Sequence, residues 1–227
     1  MSREFIHIQL SGPTASYRVP TAISGTQLAL EAPPYSSILG MLSYAAGREV
    51  TPDDTRIGYR YKYLGKGLDL ETIHRWDRRN SGSYGYNDTN IRKREIHYHI
   101  QMDIYLDNVD LLDEIDQPSR QLSFGRSQDL ATIELIHVVN AEKVDSGRLA
   151  GTLLPIEVGE DIPANGMFYN LPENFRYMDG KVRRAQNIRS FLALPQNSAE
   201  VMFDDLWQVS HPTEEEQVFY LHLWRTR

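Results

Sequence analysis

Hydrophobic positions along this chain change their period several times, and each change marks an element. Residues Glu4 to Leu10 alternate, with Phe5, His7 and Gln9 opposite Ile6, Ile8 and Leu10, which predicts a first strand ended by Ser11-Gly12-Pro13. Residues 14–32 keep no clean period and read as an excursion. Pro33 and Pro34 then exclude helix before Tyr35, because the residue preceding a proline is pushed to extended geometry. Ile38, Met41, Leu42, Ala45 and Ala46 follow at helical spacing. Ser36 or Ser37 is placed to cap this helix, and Gly47 to end it in a left-handed turn. Gly40 falls mid-helix, where glycine costs about 1 kcal/mol against alanine, and it points to a close approach by something outside the helix. Two serines beside free N–H groups at a helix start also suit an anion such as phosphate.

The second half of the pattern is mostly strand. Ile57 to Leu64 alternates, with Tyr59, Tyr61 and Tyr63 on one side and Arg60 and Lys62 on the other; tyrosines between cations suit a strand facing RNA and a half-exposed edge strand alike. Residues 65–92 are rich in Gly, Ser and Asn, and read as a protruding hairpin or finger, poorly ordered when unbound. Residues 93–107 form a long strand, with Ile96, Tyr98, Ile100, Met102 and Ile104 buried and Glu95, His97, His99, Gln101 and Asp103 on the polar face. Asn108 can cap a short helix, Gly125-Arg126 is a turn, and Ile133 to Val139 is a further strand. The order is β-α-β-(insert)-β-α-β, an α+β, ferredoxin-like or RRM-like pattern. The expected organisation is a first domain over 1–142, with an insert at about 56–100, and a β-rich C-terminal region over 143–227 packed on it. That region contains a hairpin turn signal at Asp179-Gly180, a second basic cluster of Lys181, Arg183, Arg184 and Arg189, and a closing strand from Gln217 to Trp224.

Charge sharpens this picture. The chain has 227 residues and a net charge of −7, which alone argues against nucleic acid. Yet Arg56 to Ile100 holds Arg56, Arg60, Lys62, Lys66, Arg75, Arg78, Arg79, Arg92, Lys93 and Arg94 against five acids, a net +5 that leaves −12 for the remainder. A basic segment on an acidic body is the footprint of a localised polyanion contact, not of loose coating. With 0 cysteines the chain has no disulfide, zinc ribbon or cysteine nucleophile. No apolar run approaches the roughly 18 residues of a membrane span, and MSREFIHIQL lacks the plan of a secretory signal, so a cytoplasmic protein is expected.

Candidate chemistry is sparse. His97-x-His99 would put two imidazoles on one side of a strand beside Glu95 and Gln101, a start for a metal site or, with a tyrosine or lysine, for acid–base cleavage of RNA. The same pattern suits two polar residues on the less buried face of a strand, a metal site normally needs a third and fourth convergent ligand, and no Walker, HExxH, GxSxG or zinc-deaminase pattern occurs. Gly125-Arg126 lets backbone amides and a guanidinium approach one phosphate; a turn with a solvated arginine has the same sequence.

TASYRVP at 14–20, PPYSSILGML at 33–42 and LSFGRSQDL at 122–130 together resemble the conserved blocks of the CRISPR-associated Cas-five family, in the family's order and spacing. The similarity extends over most of the first 140 residues and is nearest type I-B, with type I-A next. The family belongs to the repeat-associated mysterious protein superfamily. The resemblance implies a non-catalytic subunit of a Cascade complex, without a cofactor of its own. Such a subunit clasps the 5′ handle of CRISPR RNA, contacts a Cas-seven-type backbone subunit and a Cas-eight-type large subunit, and lies near target DNA at the PAM end. It implies handle contacts for Arg18, Tyr35, Ser36, Ser37, Gly125 and Arg126, and gives the insert the position of the family's β-hairpin thumb. The cations of 56–94 are assigned to RNA by charge. Type I-C members of the same family cleave precursor RNA with tyrosine, lysine and histidine; here Tyr44, Lys93, His97 and His99 lie in comparable regions, without that branch's lysine-histidine neighbour pair. Serving guided transposition in place of defence is a third outcome open to the same subunit.

Overall fold

A computed structural model describes residues 1–20, 25–118, 120–159, 166–178, 182–197, 199–209 and 217–225. The elements run β1 (Ser2–Ala15), α1 (Tyr35–Ala46), β2 (Ile57–Lys62), β3 (Gly65–Arg78), β4 (Tyr84–Leu106), a 3₁₀ turn (Val109–Leu111), α2 (Leu112–Ile115), β5 (Leu122–Ser123) and β6 (Leu130–Leu149). They continue β7 (Leu153–Pro155), α3 (Ile156–Gly159), β8 (Met167–Met178), β9 (Val182–Ala193), β10 (Ala199–Val209) and β11 (Gln217–Tyr220). The main sheet has the strand order β11-β10-β6-β1-β4-β2, with β3 added on β4 and β5 on β6; β7, β9 and β8 make a second, three-stranded sheet. All named pairings are antiparallel.

The inner face of the main sheet presents Ile6, Ile8, Leu10, Tyr59, Tyr61, Ile100, Met102 and Ile104. α1 lies on it with Ile38, Leu39, Leu42 and Ala45, and Tyr169, Leu171 and Phe191 of the small sheet complete that core. The other face is covered at one end by Phe5, Tyr105, Ala141, Trp207, Val209, Phe219 and Leu221. The main sheet nearly closes on itself, since the chain just after β11 returns to β2, where the His222 N–H donates to the Ile57 carbonyl at 2.9 Å.

Several expectations change here. β1 does not end at Ser11-Gly12-Pro13; it runs to Ala15 and pairs β4 on both sides of Pro13. Gly12 is there for closeness, not termination: a Cβ on it would lie 2.4 Å from the Leu130 carbonyl oxygen of β6. Ser36 and Ser37 do not cap α1. The residue at the cap is Pro34, with no side-chain cap bond, and both serines lie inside the first turn. Gly47 takes the left-handed turn at φ +71°, and the Asn108 side chain accepts from the Asp110 N–H as a cap should. Tyr59 and Tyr61 are fully buried, so they are core residues and not a stacking platform.

The division at 142/143 falls inside β6, which runs unbroken to Leu149, and β10 and β11 extend the same sheet as β1. The predicted turn at Asp179-Gly180 and Lys181 lie outside the described residues, although β8 and β9 on either side of them pair from Met167↔Ala193 to Met178↔Val182.

Candidate nucleic-acid interface

The stretch 65–92 is a regular ladder. β3 pairs β4 from Gly65↔Tyr98 to Arg78↔Tyr84, with one register shift at Arg75/Trp76. β4 pairs β1 as far as His97 and, from Ile96 to Tyr84, pairs β3 alone among the named strands. Glycine and asparagine content signals a loop only when no partner strand is near; here each strand supplies the other's partner. Leu68, Leu70, Trp76, Tyr84, Tyr86 and Ile91 stand exposed along this hairpin.

The cations assigned by charge divide into two groups. Arg56 is held by Asp107 at 2.7 Å, Lys66 by Glu31 at 2.5 Å and Glu95 at 3.5 Å, Arg75 by Asp88 at 3.6 Å, and Arg94 by Glu71 at 2.7 Å. Burial would lower the Lys66 pKa, but the hydrogen bond and charge of Glu31 outweigh it and raise the pKa. Arg60, Lys62, Arg78, Arg79, Arg92 and Lys93 make no ion pair among the described residues. Arg78, Arg79 and Lys93 are exposed, Arg92 is half-buried on the hairpin, and Arg60 and Lys62 are half-buried on β2.

Three stretches far apart in sequence meet at the hairpin base. Gly125, at φ +95°, packs beside the Ser16 carbonyl and the Tyr17 ring. Ser36, Ser37, Gly125, Ser127 and Tyr44 line one cleft of about 560 Å³, and Arg183 of β9 closes it. Arg18 is exposed and bridges Ala29 through its backbone, while Gln27 pairs with Arg94.

Two predicted contacts are not free to act. Tyr35 is buried, donates its hydroxyl to the Leu153 carbonyl at 2.9 Å, and stacks on His222 at 4.0 Å. It is a core residue, not an RNA contact. Arg126 lays its fork on the buried Asp129 at 2.7 and 2.8 Å and reaches Glu71 at 3.6 Å, so it ties the glycine turn to the hairpin instead of standing solvated. Ser36 is also buried, though it lines the cleft. Arg183 was legible in sequence only as part of a basic cluster; nothing linear joins it to Ser37 or Gly125.

His97 and His99 do not share a face. His99 takes φ +52°, and across it the side-chain alternation of β4 slips. His97 turns inward with no exposure, its Nδ1 2.9 Å from the Tyr61 hydroxyl and its ring stacked on Tyr63 at 4.0 Å. His99 and Tyr98 stay exposed. Burial, with Lys66 nearby, lowers the His97 pKa to about 4, and burial raises that of Tyr61, so a neutral imidazole and a protonated hydroxyl share the hydrogen bond at Nδ1. Among the described residues no group of three or more His, Cys, Asp or Glu is placed to hold a metal. No described helix is long and apolar enough to cross a membrane.

No protein-family model and no curated protein sequence matches the chain. Solved structures do. The chain is similar to a chain of a CRISPR RNA-guided surveillance complex, with TM-score 0.52 and 16% identity over 87% of this chain and 91% of that one. It is similar also to a chain of the type III-B Cmr-beta complex bound to cognate target RNA and AMPPnP, with TM-score 0.54 and 11% identity over 86% of each. At these identities the likeness is one of fold: a largely antiparallel sheet with few helices, shared with chains of CRISPR effector complexes.

Proposed function

We propose that this protein is a non-catalytic, RNA-binding subunit of a type I CRISPR effector complex of the Cas-five kind, closest to type I-B, which holds the 5′ handle of CRISPR RNA. The observation that carries the reading is convergence. The blocks 14–20, 33–42 and 122–130, which carried the resemblance in sequence, meet around Gly125 at the base of a hairpin with unpaired cations. The central order β6-β1-β4-β2, with α1 after the first strand and α2 after the third, supports the ferredoxin-like reading of the core. In this reading the hairpin is the thumb, and phosphates of the handle meet Arg18, Arg78, Arg79, Arg92 and Lys93. Unstacked bases lodge near Ser37 and Gly125. Cas-seven-type and Cas-eight-type subunits are the partners, and target DNA lies at the PAM end. His97 has no exposure and a depressed pKa, so it is poorly suited to exchange protons with an RNA substrate.

The test is assembly of the purified chain with backbone and large subunits on CRISPR RNA with and without the handle. Assembly should require the handle; equal assembly on handle-less RNA overturns the reading. Incubation with repeat RNA in EDTA should give no cleavage, and specific cleavage lost in His97→Ala would remove the word non-catalytic. Nuclease-helicase or transposase genes beside this one separate defence from guided transposition.

A further inference from the structure

Gly40 lies mid-helix, where glycine is costly, yet it packs against nothing: a Cβ built on it meets no atom within 4 Å. Packing on the main sheet or on the three-stranded sheet therefore does not explain it. Instead it lines two adjoining clefts that share Ser36, Gly40, Tyr44 and Arg183. One is the Ser37–Gly125 cleft. The other, about 440 Å³, adds Arg120, Asn174 and Phe175. At one end Ser43 and Arg48 are engaged, by the Leu39 carbonyl and by Asp54 and Glu114, while three polar groups of the lining are left over. Arg120 lies 5.3 Å over the Tyr44 ring and Arg183 lies 4.2 Å over the Phe175 ring. Neither guanidinium has a carboxylate partner among the described residues. Asn174 Oδ1 is buried with no hydrogen-bond partner, a cost that an N–H donor would relieve.

We infer that this second cleft is a slot for one unstacked nucleotide of the bound RNA. The base lies over bare Gly40 against Tyr44, an N–H of its edge donates to Asn174 Oδ1, and its phosphate sits between Arg120 and Arg183. The chemistry of the lining selects this occupant: two arginines seated by aromatic rings offer charge to a phosphate beside π-surface for a base, and a lone buried acceptor asks for a base-edge donor. The inference rests on the RNA-binding reading above and adds a base-sized slot to it.

The experiment is equilibrium binding of a single-stranded CRISPR-repeat RNA carrying 4-thiouridine to the full chain, with ultraviolet crosslinks mapped to peptides. Gly40→Leu fills the slot with a good helix former on an exposed position, and Gly40→Ala is the folding control, its methyl group meeting open space. Gly40→Leu should lower affinity about tenfold, the scale of one lost base-stacking contact, while Gly40→Ala binds like the natural chain. Asn174→Ala should lower affinity about threefold, and crosslinks should map to Tyr44 or Phe175 peptides and vanish in Gly40→Leu. Undiminished binding by folded Gly40→Leu, or crosslinks confined to other peptides, overturns the slot and leaves the RNA-binding reading standing. Absence of any RNA binding by the natural chain overturns both. Crosslinking of the cleft to a protein subunit, with RNA binding indifferent to Gly40→Leu, reassigns it to a protein contact.

Discussion

His97 sits against Tyr61 and Tyr63 with no exposure, and its pKa falls from 6.5 to about 4 because burial penalises the imidazolium. The unfolded chain therefore binds a proton that the folded chain refuses between those values. Stability from this group is complete above pH 6.5 and drains away as pH falls toward 4, by up to ~3 kcal/mol. The lowered pKa of His222, buried beside Glu173, acts in the same direction. His97→Gln should flatten the fall of the thermal midpoint between pH 6.5 and 4, measured by circular dichroism; an unchanged slope would show that His97 is not buried neutral. Arg126 is a poor position for a simple test of RNA binding. Its partner Asp129 has no exposure and also accepts from Thr14 at 2.7 Å. Arg126→Ala strands that carboxylate, and a loss of about 3–5 kcal/mol is expected in denaturant unfolding. Weakened RNA assembly in this variant reports a phosphate contact only if stability is intact.

The hairpin β3–β4 is an element whose outer part, among the described residues, makes no hydrogen bond or ion pair outside itself. Among the described residues Glu71 is its outermost link to the body, through Arg126. Replacing residues 73–90 by Asn-Gly joins Thr72 to Ile91, which already face each other across the ladder, with a turn that matches strand twist. The unfolding midpoint should not change, because among the described residues the removed ones hydrogen-bond and ion-pair only with one another. The loss of Arg78 and Arg79 should reduce the slope of log affinity against log salt for single-stranded RNA by about 1.4. An unchanged slope would place the phosphate contacts elsewhere. A protruding hairpin or finger was readable from the length and the Gly, Ser and Asn content of the insert, though as a poorly ordered one. Its pairing was not readable, because register is a property of two strands and neither strand states it alone.

At the scale of the molecule, the C-terminal region belongs to the same body as the first. β6 crosses the sequence boundary, β10 and β11 widen the main sheet, and Phe219 and Leu221 help fill its outer core. His222 stacks on Tyr35 of α1, and the Trp224 Nε1–H donates to the Thr55 carbonyl at 2.9 Å. A fragment ending at residue 142 should fail to fold, giving collapsed amide dispersion in NMR spectra. A well-dispersed spectrum would restore two domains.

Local chemistry was determined by the sequence alone. Prolines 33 and 34 and Gly47 bounded α1, Asn108 capped its turn, alternation placed β1 and β4, and clustered cations marked the basic hairpin. These follow from backbone sterics and side-chain period, which act over a few residues. Tertiary structure alone decided which of those groups are free to act. It buried Tyr35 and Tyr59, turned His97 inward at a single left-handed residue, and committed Arg126 to Asp129. It also brought Arg183 and Asn174 to Gly40, although 133 residues of chain lie between Gly40 and Asn174. Burial and ion pairing depend on what the rest of the chain packs against a residue, and that cannot be read from its neighbours in sequence.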